Sequence, residues 1–261
     1  GRLTPGKDYL NPNFELIVDD ILEQNQKKKL IIFLDKWLKD KISTVLKSLI
    51  DLKDLKQKNT SIKALAYQLY ENNGVLKREK VLDYLKDLKQ NERKILRELG
   101  VKFGRYHVFL FRLIKPEAVL LRSLLWKNYN QKYLSLKPPT FGLNFLEDNN
   151  SQNKNFMLLC GFEKFDNYYV RIDILERLFM QIINFNSKNA KEIKMIPEML
   201  NLLGCSKENF KKLIKSMGYN ITEKDNEVFF KYKPQKVKKR IIKKHSKKES
   251  PFGVLKNLNF N

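Results

Sequence analysis

The sequence predicts a mostly α-helical chain, arranged as a helical body, a smaller α+β unit and a basic tail. Three observations carry that expectation. Apolar residues recur at three- and four-residue steps through most of residues 27–129. Two pairs of short β-branched and aromatic runs, each parted by Asp/Asn-containing turn residues, occupy the last third. Residues 231–248 hold ten Lys or Arg and no acid.

Residues 1–26 read as an irregular N-terminal linker, with Pro5-Gly6 and Asn11-Pro12 as turn signals. Over 27–55, Leu34, Trp37, Leu38, Ile42, Val45, Leu46 and Leu49 follow helical spacing. A second helix is expected over 61–71, before Asn72-Asn73-Gly74. Residues 76–99 read as two more helices closed by Gly100. Residues 101–114 are aromatic and β-branched with Gly104 inside, and read as extended structure. Pro116 suits the first position of a helix that runs to about Tyr129 and buries Val119, Leu120, Leu121, Leu124 and Leu125. The polar stretch at 147–154 places a domain boundary near 150, so the helical domain is 27–150.

Beyond it, 156–163 and 168–172 read as strands around Asp166-Asn167. Asp173 reads as an N-cap, with Glu176 three residues on in the manner of a capping box, for a helix to about Phe185. A short helix runs from Pro197 to Gly204. Ser206 caps another that ends at Gly218. Residues 219–222 and 227–233 then read as a hairpin, with Val228, Phe230 and Tyr232 on one face. Three helices followed by a hairpin is the order of a winged helix, so 151–233 is read as a winged-helix-like domain. Residues 234–261 are read as a basic flexible tail whose Pro251-Phe-Gly-Val-Leu patch docks back on the body.

The composition limits the classes of function. Hydrophobic residues make up 42% of 261, enough for real cores. No apolar run exceeds the five residues of 30–34, far short of the ~20 residues of a membrane span, so no membrane partner is expected. Two cysteines make a disulfide framework a poor fit and point to a reducing, cytoplasmic setting. The chain opens on Gly1 rather than Met and is read as a fragment or processed product.

The formal charge of +23 suggests a polyanionic partner. Yet 42 Lys against 10 Arg, with 25 Asn, is the mark of AT-rich coding, which raises Lys everywhere. Where the lysines cluster is therefore more telling than their sum. In the helix after Ser206, Phe210, Leu213, Ile214 and Met217 share one face and Lys211, Lys212 and Lys215 the other. An apolar back and a cationic front let a helix dock on a core and meet phosphates. Lys231, Lys233, Lys236, Lys238, Lys239, Arg240, Lys243 and Lys244 add a run that gains affinity by releasing counterions. These eleven residues are the candidate nucleic-acid contacts. The bland alternative is a solvated lysine face.

No catalytic residue, metal site or cofactor site is expected. The chain has only His107 and His245, no zinc spacing, and none of G-x-S-x-G, H-E-x-x-H or G-x-G-x-x-G. Residues 1–8 come near a P-loop, but Asp8 stands where Ser or Thr must hold Mg²⁺. His107 is read as a hydrogen-bonded core residue, and Asp166, Asp173 and Glu176 as turn and cap residues. Cys160 and Cys205 are read as buried and inert. Tyr168, Tyr169, Phe229 and Phe230 are read as core rather than base-stacking residues.

Several stretches also carry a resemblance: GRLTPGKDYLNP (1–12), LGVKFGRYHVFL (99–110), IKPEAVLLRSLLW (114–126), VRIDILERL (170–178), LGCS (203–206) with the lysine-faced helix, and SPFGVL (250–255). In that order they resemble the region C-terminal to the motor in alphaproteobacterial superfamily-two helicases related to the mitochondrial RNA-degradosome helicase. The resemblance implies an accessory part that braces the motor and helps hold or separate strands. ATP and Mg²⁺ would belong to motor domains in cis, upstream of this chain, and no catalytic residue carries over. The rival reading is a free-standing winged-helix DNA-binding module, which would prefer duplex with some sequence choice. A third is a scaffold whose charge only keeps it soluble.

Overall fold

A computed structural model describes residues 1–17, 23–56, 59–148, 153–186, 192–225 and 227–232. Helix outweighs strand, 55% to 22%, with the strands in small antiparallel sheets, so the class is mostly α.

Residues 1–26, expected to be irregular, open with an antiparallel hairpin, β1 (Arg2–Asp8) and β2 (Asn11–Glu15). Its register shifts between Thr4 and Asp8, which accommodates Pro5-Gly6. Asp8 closes the turn by accepting from Leu10 N (2.9 Å) and Asn11 N (3.0 Å). Helices α1 (Gln24–Val45) and α2 (Lys47–Lys53) follow. Leu38, Ile42, Leu46 and Leu49 are buried as the spacing predicts, but Trp37 is exposed beside Ile32 and Phe33.

From α3 onward one arrangement occurs three times. The first unit is α3 (Thr60–Glu71), β3 (Val75–Lys77), α4 (Leu82–Asp87), α5 (Gln90–Glu98), β4 (Val101–Phe103) and β5 (His107–Leu110). The second is α6 (Pro116–Tyr129), β6 (Phe145–Glu147), α7 (Lys154–Leu159), β7 (Phe162–Phe165) and β8 (Tyr168–Arg171). The third is α8 (Ile172–Asn186), β9 (Ile193–Lys194), α9 (Pro197–Leu203), α10 (Lys207–Ser216), β10 (Tyr219–Lys224) and β11 (Glu227–Tyr232). In each unit the third strand lies between the first and the second.

The likeness extends to register. Val108 pairs with Leu76 and Phe103, Tyr169 with Leu146 and Lys164, and Phe230 with Ile193 and Ile221. All three central residues are buried. Two residues after the first-strand partner, a backbone amide donates at 2.8 Å to the carbonyl two residues before the central residue each time: Arg78 to Tyr106, Asp148 to Asn167, Met195 to Val228.

The helix-to-strand corner is also threefold. Leu99, Cys160 and Met217 donate to carbonyls four residues back. The next residues, Gly100, Gly161 and Gly218, have φ of +92°, +88° and +90° and donate to Arg97, Leu158 and Lys215. A left-handed residue ends the helix and turns the chain into the sheet, and glycine does so without a Cβ clash. Leu96, Met157 and Ile214, four before each glycine, and Val101, Phe162 and Tyr219, one after, are all buried. Alanine at any of these glycines is expected to cost about 1–2 kcal/mol in urea unfolding. The loss should be largest at Gly161, whose Cβ would also meet the Ile114 side chain at 3.0 Å, whereas nothing crowds Gly100 or Gly218.

Two further expectations change. Residues 156–163, read as a strand, begin in α7 and reach β7 only after Gly161. Asn153 starts that helix by accepting from Asn155 N and Phe156 N, each at 3.0 Å, and Phe156, Met157 and Leu159 are buried. A run this short has no periodicity to separate helix from strand. The boundary near 150 falls inside the second unit, where β6 pairs with β8 and Val119 shares a core with Phe156 and Tyr169.

Candidate nucleic-acid interface

Ser206 starts α10 by accepting from Asn209 N at 3.2 Å. Its apolar side buries Phe210, Leu213 and Ile214. Phe210 meets Phe230 edge-on at 5.9 Å, and Tyr219 meets Phe230 at 5.7 Å, so helix and hairpin share one aromatic core. The opposite side carries the three predicted lysines, and the structure divides them. Lys212 and Lys215 are exposed. Lys211 is only 24% exposed and pairs with Glu223 of β10 at 2.7 Å. The hydrogen bond from Lys211, then its charge, hold the Glu223 carboxyl below its ordinary value. Lys211 therefore ties α10 to the hairpin. Lys231, opposite Asn220 on β11, is exposed. Lys233, Lys236, Lys238, Lys239, Arg240, Lys243 and Lys244 lie outside the described residues.

The aromatics divide as well. Tyr168, Tyr169 and Phe230 are core residues. Phe229 is half-buried with the Lys224 ammonium 5.9 Å from its ring centre. Tyr232, on the same face as Val228 and Phe230, is half exposed and meets Tyr219 edge-on at 5.3 Å. Burial pushes the Cys160 thiol up to about 12 and the Cys205 thiol to about 11, which keeps both protonated and unreactive.

A second polar cluster joins the units. His107, on β5, is 2% exposed, and its Nε2 lies 2.8 Å from Glu163 Oε2 on β7. Lys77 Nζ, from β3, reaches the other Glu163 oxygen at 2.7 Å. Burial raises the Glu163 carboxyl, but the hydrogen bonds and charges of His107 and Lys77 outweigh it and hold the group below the ordinary value. Beside this trio, Glu176 of α8 accepts three backbone N–H groups from the β4–β5 turn: Arg105 (2.5 Å), Tyr106 (2.9 Å) and His107 (3.1 Å). The expected capping-box role of Glu176 is thus replaced by a clamp from the third unit onto the first. Asp173 pairs with Arg171 at 2.7 Å, and Asp166 sits at φ +48° in the β7–β8 turn.

The clamp explains Gly104, because a Cβ there would overlap the Glu176 carboxylate. Gly104→Ala is expected to lower stability by about 1–3 kcal/mol through loss of those charge-assisted bonds. Glu176→Gln should lose part of the same stability, and the two changes combined should fall short of additive in urea unfolding. Sequence reading missed this contact, although the stretches around Gly104 and Glu176 both belong to the resemblance. They are 72 positions apart, and periodicity reports only near neighbours.

Among the described residues, no group of three or more His, Cys, Asp or Glu could hold a metal ion. No described helix is long and apolar enough to cross a membrane. Comparison with family models, with curated proteins and with solved structures yields no match.

Proposed function

We propose that the chain is the nucleic-acid-binding accessory part of an ATP-dependent helicase, built from three tandem winged-helix units. ATP and Mg²⁺ belong in this reading to motor domains upstream in cis, and this chain contributes phosphate contacts. The observation that carries the reading is α10, with Phe210, Leu213 and Ile214 buried and Lys212 and Lys215 exposed, next to a hairpin bearing Lys231. A helix anchored on one side and cationic on the other, with a β-ribbon beside it, suits a phosphate backbone. The order helix, strand, two helices, hairpin, with the third strand central, supports the winged-helix assignment for the first and third units. The second matches their sheet register with α7 as the single described helix between β6 and β7. Ile32, Phe33 and Trp37 on α1 are exposed and offer an apolar face for a neighbouring domain.

The coding sequence upstream of the Gly1 codon tests the helicase assignment. A continuous frame containing G-x-x-x-x-G-K-[ST] and a later D-E-x-[HD] box is the expected result. A stop codon and a start site directly upstream would overturn it and leave a free-standing winged-helix module.

A further inference from the structure

Away from α10, the N-terminal hairpin, α3 and α6 enclose a cleft of about 470 Å³. Five aromatic residues from three distant stretches line it: Tyr9, Tyr67, Tyr70, Trp126 and Tyr129. Aromatics that only fill a core are covered, yet Tyr67 is 59% exposed and Tyr129 47% exposed. Trp126 is fixed in place by stacking on Tyr133 at 5.2 Å and by packing on Phe156 at 5.6 Å. The cleft thus has rigid and accessible aromatic walls together, and a volume within the usual range for small-ligand sites.

Its polar groups are incompletely satisfied. The Tyr9 hydroxyl and Asn73 Oδ1 are buried and find no hydrogen-bond partner among the described residues. Buried polar atoms are normally paired, so two unpaired ones on residues that line one cleft point to a ligand that completes them. Beneath Asn73 lies the guanidinium of Arg122, wholly buried, donating to Asn73 O at 2.5 Å and to Leu113 O. Arg122 forms no ion pair with a carboxylate among the described residues. At the mouth, the Lys53 ammonium sits 5.3 Å from the Tyr70 ring centre. The cleft also holds Asp8, whose carboxylate is engaged by the Leu10 and Asn11 amides. Glu71 is exposed and can accept from a base amino group.

A planar ring for the aromatic walls, polar edges for Tyr9 and Asn73, and an anion for Lys53 are together the chemistry of a nucleotide within a strand. We propose that this cleft takes one unstacked base of a single-stranded nucleic acid, with its phosphate toward Lys53. The inference rests on the nucleic-acid-binding reading above and adds to it a site that does not involve α10.

The test uses the full chain and labelled oligoadenylates of about a dozen nucleotides, one RNA and one DNA, read by fluorescence anisotropy. Tyr67→Ala and Tyr129→Ala are each expected to raise Kd about tenfold, while Tyr67→Phe, which keeps the ring, should stay within about twofold. In a Trp37→Phe background, Trp126 is the remaining tryptophan, and its emission should be quenched as the strand binds. The two strands show whether the site takes ribose, deoxyribose or both. Wild-type binding that both alanine variants leave unchanged, with no Trp126 quenching, overturns the cleft and leaves the α10 reading intact. Failure of the wild type to bind either strand overturns both.

Discussion

Glu163→Ala is expected to destabilise the protein by about 3–5 kcal/mol, the usual loss when one partner of a buried ion pair is removed. Glu163 is 5% exposed and holds His107 and Lys77 through separate oxygens. Without it, His107 Nε2 loses its partner within the core. Its Nδ1 already has no hydrogen-bond partner among the described residues. Urea unfolding at neutral pH reads the loss directly. Glu163→Leu combined with His107→Phe and Lys77→Met should recover most of it, since an apolar replacement of a buried pair is often neutral. The pH dependence has a defined sign. The folded carboxyl lies below its ordinary 4.5, so its contribution is fully present above about 4.5 and is lost as pH falls through the folded value. The gap between wild type and Glu163→Ala should therefore hold through neutral pH and narrow in acid.

Lys212→Gln with Lys215→Gln is expected to weaken binding of a single strand by roughly tenfold to a hundredfold at about 50 mM salt. The slope of log K against log salt should fall in magnitude by about 1.4. Both side chains are exposed on α10 while its other face is buried, so the fold should survive, and circular dichroism melting checks that it does. Lys211→Gln should change the salt slope less, because Lys211 is held against Glu223. It should instead loosen the β10–β11 hairpin. Equal effects from all three lysines would show that the pair with Glu223 opens on binding.

The parts of the fold legible in the sequence are those with local punctuation. Pro116 marks the start of α6, and Pro197, Gly204, Ser206 and Gly218 bracket α9 and α10 within a residue or two. Of the 101–114 segment read as extended, 101–103 and 107–110 are strands, legible through aromatic and β-branched residues, while 111–114 form a 3-10 turn. Short elements were not: α7 has six residues, too few for a helical period. The threefold repeat was hidden for a different reason. What recurs is a hydrogen-bond register around one glycine, whereas the central-strand residue is Val108 in one unit, Tyr169 in the next and Phe230 in the last. The lysine face of α10 was legible from spacing alone, but the division of labour within it depends on Glu223, which comes alongside through the fold. The aromatic cleft was illegible, since Tyr9, Tyr67 and Trp126 come from separate elements.

A salt titration tests the nucleic-acid claim most directly. A labelled single strand and a duplex of the same sequence are titrated with the full chain between about 50 and 200 mM salt. The expected result is binding at low salt that favours the single strand over the duplex and weakens log-linearly as salt rises. Absence of binding to either probe at the lowest salt, or affinity indifferent to salt, would contradict it.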